Sequence, residues 1–272
     1  MKIINCHAHY NFVDPSELEE KRRTVWDGLG YSQVWFSGNN RSVRELFRRY
    51  PDYAVGLAAV KLEKGAHWRN PEVEPEHVDN SDDVVRYRDQ GFAGLKVMYV
   101  GHPFSHPSYL PIYERAAELR MPILFHTGYT SSVEYQDYYR PSHLIDIGQR
   151  VPELRIIAAH LGGQFFWETI WAMSKCPNVY ADLSGGTVRY FPAEFFRMLF
   201  LRVRRNDTTG SAVVDPDSAD DQPCPPIRKL VFGSDNPDDT LEFYRQFMIA
   251  LDVPAENREL IYHGNAEKLL AT

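Results

Sequence analysis

Eight short apolar runs, separated by segments with helical spacing or polar loops, restrict the architectures open to this chain. They are Lys2–Cys6, Gln33–Phe36, Ala54–Val60, Gly94–Tyr99, Ile123–His126, Arg155–His160, Val179–Leu183 and Lys229–Phe232. Several are continuously apolar, as strands buried on both faces of a parallel sheet must be. Parallel neighbours need a crossover, and the intervening segments carry helix signals. Asp14-Pro15-Ser16-Glu17 offers an N-cap, a proline at the first helical position and a glutamate able to complete a capping box. Pro111–Leu119 has apolar residues at helical spacing and stops before Met121-Pro122, where proline blocks continuation. Pro141–Ile147 and Pro192–Phe196 are similar starts. Eight such units in 272 residues predict one α/β domain, a (β/α)8 TIM barrel spanning 1–272. That fold typically takes roughly 250 residues.

Four of the runs lead into side chains that bind metals: His7 and His9, His126, His160, and Asp235. In a parallel barrel all strand C-termini meet at one rim, so residues distant in sequence converge there. His7 and His9 are two apart and point to the same face of an extended segment. A bare H-x-H is a weak signal, and a lone histidine at a strand end is more often a satisfied turn residue. Four histidines and a carboxylate at one topological position point instead to a catalytic divalent metal with an open coordination site. For His160 two roles stand open: direct ligation, or an acid that polarises a substrate oxygen. Asp235 is suited both to ligation and to accepting a proton from metal-activated water. Its competing role is an N-cap near Pro237, a task better filled by Asn236 directly before the proline.

Lys96 is a charged residue inside an apolar run, and buried lysines are rare unless paired. It is read as a partner for an anionic substrate group; the alternatives are a carboxylated lysine bridging a second metal and a structural ion pair. His67, His77, His102, His106, His143 and His263 are read as non-ligands, with His102 nearest to an exception because it follows the fourth run.

Hydrophobic content of 43 % with 25 % charged residues suits a globular protein. A formal charge of −7 and a pI near 5.8 weigh against nucleic acid as a partner. Three cysteines without metal-finger spacing fit a reducing compartment, with Cys6 as a small buried hydrophobe. The first run starts at Lys2 and no run has membrane-span length, so the expectation is a cytoplasmic protein with a small-molecule substrate and no membrane partner. Leu62–Ser81 is polar, aperiodic and contains Trp68 and Arg69. It reads as a lid or substrate-contact loop, or else as a packed surface excursion. Residues 206–226 read as a mobile surface insertion. The aromatic-rich segment Phe165–Trp171 could pack on the barrel or on a second copy in a homo-oligomer.

Taken together, several motifs resemble the amidohydrolase superfamily, in its amidohydrolase 2 (amidohydrolase-related) branch of metal-dependent barrel hydrolases and decarboxylases. They are Asn5–His9, Gly94–Lys96, Pro122–Gly128, Arg140-Pro141, Val151–Gly163, Asn178–Ser184, Phe232–Asp235 and His263–Ala266. The resemblance implies a slightly distorted barrel and one divalent metal ion, usually zinc, with manganese as the alternative. It implies His7, His9, His126 and Asp235 as ligands and His160 as the acid/base or polarising histidine. Asn5 stands where many relatives carry an acidic residue, and its expected task is support of the first strand. The expected activity is hydrolysis of a small polar lactone, amide or ester, with or without a carboxylate. Lys96, Arg69, Tyr129 and Arg140 are then candidates for orienting an anionic group. The nearest rival is non-oxidative decarboxylation of an aromatic or unsaturated acid at the same centre. A deoxyribonuclease-like branch fits less well, because its members carry a metal-binding glutamate where this chain has Lys96. A catalytically inactive barrel that binds a ligand is the rival of another class.

Overall fold

Every one of the eight apolar runs overlaps a strand in the computed structural model of the protein. The structure describes residues 2–10, 19–63, 77–129, 133–185, 187–190, 192, 196, 202–205, 208–209, 212–215, 226–236 and 241–271. In chain order the barrel strands are β1 (Ile4–Tyr10), β2 (Gln33–Gly38), β3 (Ala54–Val60), β4 (Gly94–Val97), β5 (Ile123–Phe125), β6 (Ile156–Ala158) and β7 (Val179–Asp182). Strands β8 (Arg202–Arg205) and β9 (Ala212–Asp215) follow, and β10 (Leu230–Val231) completes the barrel. The eight barrel strands pair in parallel in the order β1-β2-β3-β4-β5-β6-β7-β10. Helices Asn40–Arg49, Ser81–Asp89, Leu110–Glu118, Ser142–Arg150 and Phe166–Lys175 form successive crossovers.

Side-chain alternation divides the core into two parts. Ile4, Cys6, Trp35, Leu57, Leu124, Ile157 and Val231 form one buried cluster, to which the C-terminal helix adds Ala266 and Leu269. The opposite faces of the strands, such as Ile123, Phe125, Ile156 and Ala158, pack with helix residues including Ile112, Leu144, Ile147 and Met173. His126 lies two residues beyond Leu124, and Asp182 two beyond Tyr180, so each shares the face of its predecessor. The alternation that fills the barrel with apolar side chains therefore sets polar groups above them.

The seam between β10 and β1 is closed by backbone hydrogen bonds. Cys6 N–H donates to Phe232 O (2.8 Å), Asp235 N–H to His7 O (2.8 Å) and His9 N–H to Asp235 O (3.2 Å). Asn5, fully buried, fastens this seam as the sequence suggests. Its Nδ2 donates to Ser234 Oγ (2.7 Å), and its Oδ1 accepts from Ser234 N (3.1 Å) and His7 N (3.3 Å). Asn5→Ala leaves these partners without water to replace it, at about 1–3 kcal/mol for a buried group left unsatisfied. The expected result is a stability loss of about 2–3 kcal/mol in chemical denaturation; an unchanged midpoint would show that the seam does not need the amide.

Three expectations change or fall away. Ala212–Asp215, within the stretch read as a mobile insertion, is a strand paired antiparallel with Arg202–Arg205. This pairing was not legible because the segment alternates weakly and its partner lies in a run of arginines. Pro192 is not helical, and 193–195 lie outside the described residues, as do the helix start at 14–17, Trp68, Arg69 and 216–225. The long excursion after β3 has a tied neck. Asp79 N–H donates to Lys61 O (2.8 Å), Lys61 N–H to Asp79 Oδ2 (2.7 Å), and Tyr87 OH to the same carboxylate. Cys6 and Cys176 are buried. No helix among the described residues is long and apolar enough to cross a membrane.

Candidate metal centre

On β1 the register against β2 advances three residues, Asn5 to Ala8, while its partner advances two, Val34 to Phe36. Such a bulge re-aims side chains. His7 is fully buried and His9 partly so. Their Nε2 atoms lie 3.3 Å apart. Asp235 Oδ1 is 3.4 Å from His7 Nε2 and 3.3 Å from His9 Nε2. These three residues form a group whose ligand atoms all lie within 4.8 Å of one another. Asp235 reaches this position with φ at 68°, a left-handed conformation costing roughly 1–2 kcal/mol for a residue with a Cβ. The two seam hydrogen bonds to β1 hold it there.

His126 and His160 adjoin the group from β5 and β6. His126 Nδ1 lies 3.2 Å from His160 Nε2, which is 3.9 Å from Asp235 Oδ1. His126 thus reaches the centre beside His160 and is not a member of the tight His7–His9–Asp235 group. His160 is the first of four consecutive residues with positive φ, at 58°, 49°, 81° and 55° through Gly163. Two of them carry side chains, so the turn is strained and needs fastening. Asp182 Oδ1 accepts from His160 N (2.9 Å), and Thr187 Oγ1 donates to His160 O (2.5 Å). A Cβ on Gly185 would lie 2.6 Å from His160 Nδ1, so glycine is required for the ring to pack.

A second layer orients the imidazoles. His7 Nδ1–H donates to Asp182 Oδ2 (2.9 Å), and His9 Nδ1 meets Ser37 Oγ (3.3 Å). His126 Nε2–H donates to the Tyr129 carbonyl (3.0 Å). A neutral imidazole has one N–H, and the partners assign it. His7 Nε2 and His126 Nδ1 are therefore lone pairs facing inward, next to a carboxylate. Ligating histidines commonly give their second nitrogen to a carboxylate or a carbonyl in this way, so the donor set fits a divalent cation.

The charges agree with that fit. Burial first, and then the neighbouring Lys96 cation, lower His7 to about 4. Burial and then His7 lower His160 to about 4. Burial and then His160 hold His126 well below its ordinary value. All three are neutral at pH 7, the state that ligation requires. For Asp182, burial alone would raise the carboxyl, but attraction and hydrogen bonding from His7 outweigh it and keep the group ionised. Asp235 is likewise held below the usual carboxylate range against burial, by hydrogen bonding from His9 and attraction from His7.

Lys96 on β4 is fully buried, with Nζ 2.9 Å from His7 Nε2, as an ammonium donating to the lone pair assigned above. Burial lowers it to about 8, against the raising effect of Asp182 and Asp235. Tyr129 contributes its carbonyl, while its side chain is 68 % exposed. Arg140 is turned to Glu168 and Asp137 and stacks over Phe165, so its charge is already compensated. Arg69 lies outside the described residues.

Among the other histidines, His102 stacks on His106 at 4.2 Å, and His143 meets Ser105 and the Asp137 carbonyl. His77 sits between Asp79 and Asp83, whose oxygens already accept from Lys61 N, Tyr87 OH, Asn80 N and Arg86. That cluster is an ion-pair network at the loop neck.

Sequence reasoning missed Asp182, Ser184 and Ser37 as parts of the site. For Asp182 the signal was present: Val179-Tyr180-Ala181-Asp182 repeats the apolar run followed by a ligand-type side chain seen at Ile123–His126.

The fold is shared with solved structures. An uncharacterized TIM-barrel protein from Bordetella bronchiseptica superposes with a TM-score of 0.71 at 15 % identity, covering 99 % of this chain and 98 % of that one. A dihydroxybenzoic acid decarboxylase from a Polaromonas species, solved with bound manganese and 2-nitroresorcinol, gives 0.61 at 14 %, covering 99 % and 96 %. A probable 2-pyrone-4,6-dicarboxylic acid hydrolase from Acinetobacter baumannii, with citric acid bound, gives 0.57 at 14 %, covering 99 % of each. No curated protein matches the sequence. The amidohydrolase family model (Amidohydrolase, the amidohydrolase 2 branch) matches residues 4–272, and on that match the chain belongs to this family.

Proposed function

We propose that the chain is a metal-dependent hydrolase acting on a small, polar, carboxylated lactone, amide or ester. The observation that carries this reading is the approach of His7 Nε2, His9 Nε2 and Asp235 Oδ1 to within 3.4 Å of one another. His7, His9 and Asp235 would hold a divalent ion there, and it would supply Lewis acidity and make water a nucleophile near neutral pH. Asp235 is ionised and its side chain is 39 % exposed, so it can reach solvent in the mouth of the barrel. It takes the proton of the attacking water and returns it to the leaving group. Lys96, with its ammonium at the floor of the centre, attracts the anionic part of the substrate. Zinc suits the imidazole–carboxylate donor set, and manganese is the alternative.

The buried ammonium of Lys96 equally favours a second reading, decarboxylation of an aromatic or unsaturated acid, because that reaction also begins with a bound carboxylate. The structural likeness to the manganese-containing decarboxylase supports keeping it. The test starts from elemental analysis, with about one equivalent of zinc or manganese expected per chain. His126→Ala is expected to abolish turnover of small lactones, amides or carboxylated aromatics while the circular dichroism of the barrel is kept. Carbon dioxide among the products would select the second reading over the first. Full turnover by rigorously metal-free protein would overturn both.

A further inference from the structure

The fourth imidazole is wired differently from the others. His160 Nδ1 has a hydroxyl as its partner, Ser184 Oγ at 2.9 Å. A hydroxyl can donate or accept, so this pair alone does not assign the proton of His160. The other contacts of Ser184 do. Its Oγ lies in close contact with Asp182 Oδ1. Asp182 Oδ1 already accepts from the main-chain N–H groups of His160 and Ser184, so it stands as an acceptor and the single hydroxyl hydrogen belongs in that contact. The remaining lone pairs of Ser184 Oγ face His160 Nδ1 and, at 3.0 Å, His7 Nδ1. His160 must then carry its hydrogen on Nδ1, and its Nε2 is bare.

We propose that Ser184 is the positioning residue that sets the tautomer of His160 and so turns the Nε2 lone pair toward the centre. The inference rests on the metal-centre reading above and adds a direction to it. His160 Nε2 and His126 Nδ1 face each other at 3.2 Å, and the hydrogen of His126 is committed to the Tyr129 carbonyl. Two lone pairs at that distance repel each other unless a cation lies beside both. His160 therefore acts as a ligand or proton acceptor; it has no hydrogen on Nε2 with which to polarise a carbonyl. Ser184 is fully buried and bonded to Asp182 through its own N–H as well (2.8 Å), so the hydroxyl has a fixed direction.

The experiment uses full-length protein labelled with 15N-histidine, metal-free, at pH 7.5. Long-range 1H–15N correlations report which ring nitrogen carries the hydrogen, and His160→Gln assigns the His160 signals by their loss. The expected result is an Nδ1–H tautomer for His160 in the wild type. Ser184→Ala should shift it to Nε2–H or to a mixture. Zinc titration of the same variant should show a loss of about 10–100-fold in affinity, the usual effect of removing an outer partner of a metal site. An Nε2–H tautomer in the wild type, or an unchanged tautomer in Ser184→Ala, would overturn the proposal. Wild-type protein that takes up neither zinc nor manganese would instead overturn the metal-centre reading, and the tautomer measurement would still decide the role of Ser184.

Discussion

Replacing Asp182 by asparagine is expected to lower zinc affinity about 100-fold, the upper end of the usual effect of an outer-layer change, with the barrel still folded. Asp182 is fully buried and accepts from four donors: His7 Nδ1–H, His160 N–H, Ser184 N–H and the Ser184 hydroxyl. Asparagine has the same outline but turns one of the two terminal atoms into a donor. With the NH2 group toward His7, the imidazole must move its hydrogen to Nε2, the atom that faces His9 and Asp235. With the amide reversed, the NH2 group meets two main-chain N–H groups and a hydroxyl. Either arrangement spoils the centre, the first through tautomer and the second through the strained turn at His160. The stability loss is expected to be about 2–4 kcal/mol, since hydrogen bonds to a charged acceptor are worth about 1.5–3 kcal/mol each and asparagine keeps some of them. Competition against a chromophoric chelator measures the affinity, and urea denaturation of the metal-free protein measures the stability. Zinc binding as tight as the wild type's would remove Asp182 from the working parts of the centre.

The arrangement of the barrel was readable because its signals are local. A run such as Ile123–Phe125 or Ile156–Ala158 is apolar on both faces, and only a strand covered on both sides has use for it. His7, His9 and Asp235 were readable for a topological reason: parallel strands bring their ends together whatever the loops do. Other features were not legible because they depend on direction and partner. The bulge at Cys6-His7 depends on register against β2. The choice between His126 and His160 as neighbours of Asp235 depends on a left-handed turn. Arg140 looked available for a substrate because its partner, Glu168, lies 28 residues away on the helix Phe166–Lys175. Ser184 is the clearest case. A serine after a strand carries no signal alone, and its meaning comes from having a carboxylate and two imidazoles within reach at once.

The same buried imidazoles predict that the metal-free protein loses stability on mild acidification, beginning near pH 6.5. His7 and His160 have an ordinary value of 6.5 and are lowered to about 4 in the folded protein, chiefly by burial. Between these pH values the unfolded chain binds protons that the folded chain refuses, so stability rises with pH across the window and falls as acid is added. The interval is worth about 3 kcal/mol for one histidine at 1.36 kcal/mol per pH unit. The repulsion between the two charged rings is already contained in the lowered value of His160, so the pair together is expected to contribute on the order of 5 kcal/mol, less than twice the full interval. His126, lowered in the same direction, adds to the slope. The depressed carboxylates Asp182 and Asp235 act with the same sign but only below pH 4, where their unfolded counterparts begin to protonate. The acid limb therefore starts about two pH units above the point that carboxylates alone would give. Urea midpoints at pH 7.5, 6.5, 5.5 and 4.5 trace it, and His160→Gln should flatten the slope while leaving its onset at 6.5. Saturating zinc should steepen it, because the ion stabilises only the folded state and competes with protons for the same nitrogens. A midpoint that stays level from pH 7.5 to 4.5 would mean that these imidazoles are open to water, and a centre open to water has no reason to hold them as bare lone pairs.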